Sequence, residues 1–355
     1  MNIGSVIGAL VLAGVLAAAG TPSAAAVPDV YPLAASGYIP DSVVASADGA
    51  IWLSAALLKP CSGNITCQTE LLGTLRSNGI HEHDLGAVTL AGSLYGATPG
   101  PGPSIWVTDP LKAARIFNLS GKLVAAVRFG RQNGSGALSA PFIGPDGRMW
   151  FTQGSFGLGG GGVVAVDASY HVMSVAPCKQ CFFFGGVDAA DGDAWLLDPY
   201  LGGFYRVTPA GALKRFDFGK FVLETLLAGP NAKLWGMQDG NVAEYDLEGR
   251  RIAQYTPPVS VQSGLRTVGS NLAWADYGPS ASGGSELDIV TLTVGGAATV
   301  ARFTHVGACT SSAAQWFSSG PALGGDGALY VGVGCAPQQA PYTVGGLGYL
   351  VRIPK

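Results

Sequence analysis

One phrase recurs along the chain and constrains it more than any other feature: a polar glycine turn, two or three residues, then a large aromatic. It reads Asp48-Gly49-Ala50-Ile51-Trp52, Asp146-Gly147-Arg148-Met149-Trp150, Asp191-Gly192-Asp193-Ala194-Trp195 and Asp326-Gly327-Ala328-Leu329-Tyr330. Looser copies end at Trp235 and Trp274, and Pro103-Ser104-Ile105-Trp106 completes the set behind a Pro/Gly-rich insertion. The anchors therefore stand at 52, 106, 150, 195, 235, 274 and 330. A recurrence at intervals of 39 to 56 residues marks a repeat architecture. After each anchor come a variable loop and two alternating runs joined by a second turn, as in Phe204-Tyr205-Arg206-Val207, Thr208-Pro209-Ala210-Gly211, Ala212-Leu213-Lys214-Arg215-Phe216. Period-two runs joined by glycine turns are hairpins. Two hairpins per unit make a four-stranded sheet, so the chain is expected to be all-β, a seven-bladed β-propeller of four-stranded blades. A β-sandwich does not repeat one anchor in this way. The last run, Gly348-Tyr349-Leu350-Val351-Arg352-Ile353, leaves the seventh unit one strand short. Asp29-Val30-Tyr31-Pro32-Leu33 precedes the first blade and can supply it, closing the ring with an N-terminal strand and hiding an edge.

Composition sets the remaining bounds. Charged residues are 12% of 355, about half the ~25% of ordinary globular proteins. Hydrophobic residues at 48% exclude a disordered chain. A net charge of −3 without a basic block excludes nucleic acid as a partner, since phosphate neutralisation needs clustered Lys and Arg. Residues 3–20 are apolar or small and uncharged, and Thr21-Pro22-Ser23-Ala24-Ala25-Ala26 follows with an A-x-A pattern. This reads as a secretory signal peptide over residues 1–26, leaving residues 27–355 as a single propeller domain. The mature protein is then expected to be secreted, extracellular or periplasmic, off the membrane once cleaved, and monomeric. Six cysteines suit an oxidising compartment, and fifteen pairings are open to them. Cys178-Lys179-Gln180-Cys181 has no second ligand pair for zinc, so a structural disulfide is expected there.

The phrases Ile143-Gly144-Pro145-Asp146-Gly147-Arg148-Met149-Trp150-Phe151-Thr152 and Phe204-Tyr205-Arg206-Val207-Thr208-Pro209-Ala210-Gly211 resemble the blades of the streptogramin B (virginiamycin B) lyase family. The resemblance spans about residues 30–355. It implies a seven-bladed propeller whose members open a cyclic depsipeptide by C–O elimination. A histidine at the mouth would act as base or acid, and glutamates would hold Mg²⁺ or another divalent cation that polarises a carbonyl.

The family pattern sets the histidine about eleven residues before an anchor and the glutamate about three after. Eleven before gives Asp41, Ser139, Phe184, Glu224, Ser263 and Ser319. Three after gives Ala55, Asp109, Gln153, Asp198, Gln238, Tyr277 and Val333. None is histidine, so the catalytic pattern is degraded. His81 and His83 fall on the outer strand of blade one as a solvated edge, and His171 follows the second turn of blade three. His305, entering the connection to blade seven, is the one histidine expected at the mouth. The candidates are therefore His305 and Glu224 for catalysis, with Asp41, Asp109, Gln153, Asp198, Gln238 and Asp276 for ligand binding. Asp198 and Glu224 are the candidate metal ligands. Asp109 and Asp198 each precede a proline, which is also ordinary turn chemistry.

The expected function is binding of a small-molecule or peptide ligand at the mouth. An active lyase is the alternative, and a metal-dependent lactone hydrolase is a second, although its acidic and Asn ligands are not clearly matched. On the blade assignment all six cysteines fall on the mouth face, with Cys61–Cys67, Cys178–Cys181 and Cys309–Cys335 as the expected disulfides. Peptide mapping under non-reducing conditions should recover these three pairs; any crossed pair would break the blade assignment.

Overall fold

The computed structural model describes residues 27–33, 37–60, 66–77, 79–84, 95–109, 113–129, 137–139, 141–154, 161–178, 181, 183, 185–198, 203–217, 223–261, 264–310, 315–337 and 345–355. Seven antiparallel sheets follow one another as the blades of a propeller, blade 1 within residues 39–84 and blade 7 within 315–353. Blade 4 shows the plan: Gly185–Asp188, Ala194–Asp198, Gly203–Val207 and Leu213–Asp217 pair in chain order. In each blade the first strand lies innermost, where it meets the first strands of its neighbours. Blade 7 takes its fourth strand from the other end of the chain. Asp29–Pro32 pairs antiparallel with Leu347–Ile353, Asp29 opposite Arg352, and the two side chains form an ion pair at 2.9 Å. The expected ring closure is thus observed.

All seven anchors sit on the second strand of their blades and are at most 5% exposed. The preceding turn explains the recurring Asp-Gly. The Asp146 carboxylate accepts from the Arg148 N–H two residues on (3.0 Å) and from the Trp150 indole N–H (2.9 Å). Asp191 does the same for Asp193 and Trp195, and Asp326 for Ala328 and the Tyr330 hydroxyl. One carboxylate thus closes the hairpin and satisfies a buried donor. The glycine supplies the left-handed backbone at Gly49, Gly147, Gly192 and Gly327, with φ between 75° and 80°. At Gly49 a second demand applies: a Cβ there would lie 2.8 Å from Gly325 Cα, so the corners of blades 1 and 7 meet backbone to backbone.

Apolar packing is organised between blades. Trp52, Leu72, Ile105, Val107 and Phe117 join blades 1 and 2. The same kind of cluster fills each of the other interfaces, including Val43, Leu53, Tyr330 and Leu350 between blades 1 and 7. The low charge of the sequence follows, since second strands such as Ala194–Asp198 are buried throughout. Low charge does not extend to full coverage of every strand. The outermost strands Leu123–Arg128 and Ala298–Thr304 are largely exposed, because neighbouring blades splay apart with distance from the axis.

Two disulfides are formed among the described residues, Cys178–Cys181 and Cys309–Cys335. Cys335 lies within the second strand of blade 7, Leu329–Ala336, rather than in the loop beyond it. The expected Cys61–Cys67 pair lies outside the described residues.

Trp52, Trp235 and Trp274 bury their indole N–H without a hydrogen-bond partner among the described residues. In blade 1 the Asp48 carboxylate is taken by the Ser46 hydroxyl and the Ala50 N–H. Trp150→Phe removes a bond to a carboxylate, whereas Trp52→Phe removes an unpaired donor. Urea unfolding should therefore show Trp150→Phe to be more destabilising than Trp52→Phe by about 1–2 kcal/mol. Equal losses would deny the carboxylate its role.

Candidate functional site

Four of the innermost strands are interrupted at one repeated height, near the face where those strands begin, while that of blade 2 slips further along, between Tyr95 and Thr98. In blade 1 the pairing slips between Pro40 and Ser42, leaving Asp41 as the extra residue. In blade 5 it slips between Leu223 and Thr225, leaving Glu224. In blades 3 and 7 the first strand breaks into two pieces around Ser139 and Ser319. All four residues stand eleven before an anchor. An extra residue bends a strand and re-aims its side chain, which is why such breaks collect beside sites.

In blades 1 and 3 a serine or threonine two residues past the anchor ties the break down, and in blade 7 a backbone N–H at that position does so. The Ser54 hydroxyl donates to the Asp41 carboxylate, lies 2.8 Å from the Ser42 hydroxyl and accepts from the Ala97 N–H of blade 2. In blade 3 the Thr152 N–H and hydroxyl both donate to Ser139 Oγ. In blade 7 Ser319 Oγ accepts from the Gly332 N–H at 2.8 Å. Asp41 is solvent-accessible on the innermost strand, yet protein surrounds it, so it lines the central channel. That enclosure pushes its carboxyl up to about 6 against the opposing Ser54 hydrogen bond.

The other expected ligand-binding residues whose side chains are described, Asp198, Gln238 and Asp276, are bound into their own blades. Asp198 is fully buried at the end of Ala194–Asp198, opposite Gly203. Gln238 is buried, and its Oε1 accepts from the Tyr245 hydroxyl (2.8 Å) and from Arg251 Nη1 (3.3 Å). Burial pushes that tyrosine up to about 12. Asp276 accepts from the Ser260 hydroxyl at 2.9 Å and stands opposite Asp288. Burial first and Asp288 second raise its carboxyl, and its other oxygen is buried without a partner among the described residues. Asp288 in turn is clamped by Arg302 through two bonds of 2.8 Å. Asp109 stands opposite Ala113 and Gln153 opposite Leu138 and Gly162; their side chains and that of Glu224 lie outside the described residues.

His305 follows the outermost strand of blade 6 and is exposed. Its backbone is left-handed (φ 58°), its N–H donates to the Ser285 carbonyl (2.7 Å), and its ring borders Gly284. Two strands separate it from the innermost strand of its blade, and no described carboxylate pairs with it. His83 stacks on Trp52 with ring centres 5.6 Å apart and lies 2.9 Å from the Thr74 hydroxyl, so its role is packing.

Among the described residues no group of three or more His, Cys, Asp and Glu comes together to hold a metal ion. Of the two candidate metal ligands, Asp198 is fully buried in its blade and the Glu224 side chain lies outside the described residues.

Sequence reasoning passed over Arg266. It opens the innermost strand of blade 6, Arg266–Val268, and like Asp41 it is solvent-accessible but walled in by protein. Desolvation pulls its guanidinium below the ordinary value. The available signal was a lone cation eight residues before an anchor, in a unit otherwise short of charge.

The chain shares its fold with solved propellers. A streptogramin B lyase structure superposes with a TM-score of 0.63 over 92% of this chain and 97% of the other, at 14% identity. A catalytically inactive virginiamycin B lyase from Staphylococcus aureus, solved with quinupristin, gives 0.61 over 91% and 99%, also at 14%. YCF48 bound to D1 peptide gives 0.54 over 92% and 97%, at 10%. No protein-family model and no curated protein sequence matches the chain. The resemblance read from the blade phrases is therefore seen again in three dimensions, as a likeness of fold.

Asp41 yields a pH test. Its folded value of about 6 lies above the ordinary 3.8, so the folded chain holds this proton more tightly than the unfolded one. The stabilisation is complete below about pH 4 and is lost as pH rises through about 6. The melting temperature of Asp41→Asn, taken relative to the parent, should climb between those limits. A flat difference would return Asp41 to an ordinary carboxylate.

Proposed function

We propose that the chain is a secreted propeller that binds a small-molecule or peptide ligand at its mouth, with the lyase family's catalytic residue pattern degraded. Residues 1–26 are its export signal and 27–355 its single domain. It works as a monomer, away from nucleic acid and membrane. The observation that carries this reading is the row of strand breaks eleven residues before the anchors. The re-aimed positions hold Asp41, Ser139, Glu224 and Ser319, where the family pattern would put a histidine. His305, at the end of an outermost strand, does not replace it. A site rimmed by carboxyls and hydroxyls, with no histidine among the described residues in reach of them, suits binding better than the histidine-led proton abstraction that the family pattern implies. Two of the similar propellers support a ligand at such a fold, one solved with quinupristin and one with a D1 peptide. The disulfides Cys178–Cys181 and Cys309–Cys335 support export and brace connections that a ligand would meet.

The deciding experiment is incubation with a streptogramin B depsipeptide, with and without Mg²⁺, followed by mass spectrometry. The expected result is an intact ring under both conditions. Mg²⁺-dependent ring opening that disappears in Glu224→Gln would establish the lyase reading instead.

A further inference from the structure

The inner strands of blades 3 to 6 line an open cavity of about 290 Å³. Its walls are mostly apolar, Val187, Leu197, Leu226, Leu227 and Leu265 with glycine backbone and Pro141, and Thr225 and Thr267 are the uncharged polar residues among them. Arg266 is the one charged residue among those that line it. The Arg266 stem runs along Gly320 of blade 7, where a Cβ would lie 2.7 Å from Arg266 Cγ. Its Nη1 donates to the Leu265 carbonyl at 3.2 Å, and no carboxylate among the described residues pairs with it. A guanidinium carries five donors in a planar fork, so one carbonyl leaves most of them unspent. A guanidinium that no carboxylate offsets attracts an anion, and beside apolar walls its charge-assisted hydrogen bonds meet less competition from water.

We propose that this chamber is a binding site for an amphiphilic monocarboxylate, its carboxylate held by Arg266 and its short apolar chain lying against the leucines. The size limits the ligand to a small one, near the lower end of the cavities that hold organic ligands. The single cation selects an anion. The mostly apolar walls favour a ligand with an apolar chain over inorganic anions and sugars, which would exchange hydration for only the two threonines and the one cation there. The fork favours the flat, two-oxygen carboxylate. This site stands beside the proposed mouth function without resting on it. A depsipeptide that stays intact, or is opened, leaves the chamber and its cation unchanged.

Hexanoate and its neutral isostere hexanamide test the proposal by calorimetric titration of the purified chain in low-chloride buffer. Hexanoate should bind at least about tenfold more tightly than hexanamide, the ratio expected for a charge-assisted bond. Arg266→Met keeps the apolar stem and should abolish the difference. Arg266→Lys keeps the charge without the fork and should retain only part of it. Equal affinity for acid and amide would overturn the proposal; it is the result expected if a carboxylate of the chain, such as Glu224 on the adjacent inner strand, already neutralises Arg266. Binding of neither probe would overturn it as well, as would a preference that survives in Arg266→Met.

Discussion

Burial between blades is the constraint on which this fold depends, because no blade has an interior of its own. A single four-stranded sheet exposes two apolar faces, and each face is covered only by the next sheet around the ring. The arrangement resembles a solenoid bent into a circle, with stability built from neighbour contacts. A solenoid needs polar caps at its ends. The ring avoids them by giving blade 7 a strand from residues 29–32, so that the first interface and the last are completed together. The Asp-Gly corner serves this end. It turns the chain within two residues and fixes the anchor side chain deep in the interface.

Much of this was legible in the sequence because the physics is local. An Asp that accepts from the backbone two residues on and from an indole four residues on must keep that spacing, and Asp146 and Trp150 keep it visibly. The strand count and the closing strand followed from the same periodicity. The limits are also physical. The fourth strands look apolar in Leu123-Val124-Ala125-Ala126-Val127, yet Leu123 and Val124 are exposed, because radial splay is a property of the ring and not of any window of residues.

The site was legible only as positions. Counting eleven back from each anchor found Asp41 and Glu224, and the structure adds that both are extra residues in slipped pairings. Hairpin register is not written in a lone strand, so the slips could not be read beforehand. Asp198 and Gln238 had the right residue type and spacing for a mouth ligand, but both are buried within their blades. Arg266 escaped notice for the opposite reason. It belongs to no motif, and its enclosure arises from strands far apart in the chain.

The closing strand has a kinetic consequence. Asp29 and Arg352 are 323 residues apart, and their pairing seals the ring. Blades can form in order as the chain emerges, since their hairpins are local. The seam between blades 1 and 7 must wait for the last strand, and until then the first sheet keeps one apolar face open and the strand at residues 29–32 stays unpaired. The slowest and most aggregation-exposed moment in the life of this molecule therefore falls at the very end of its assembly.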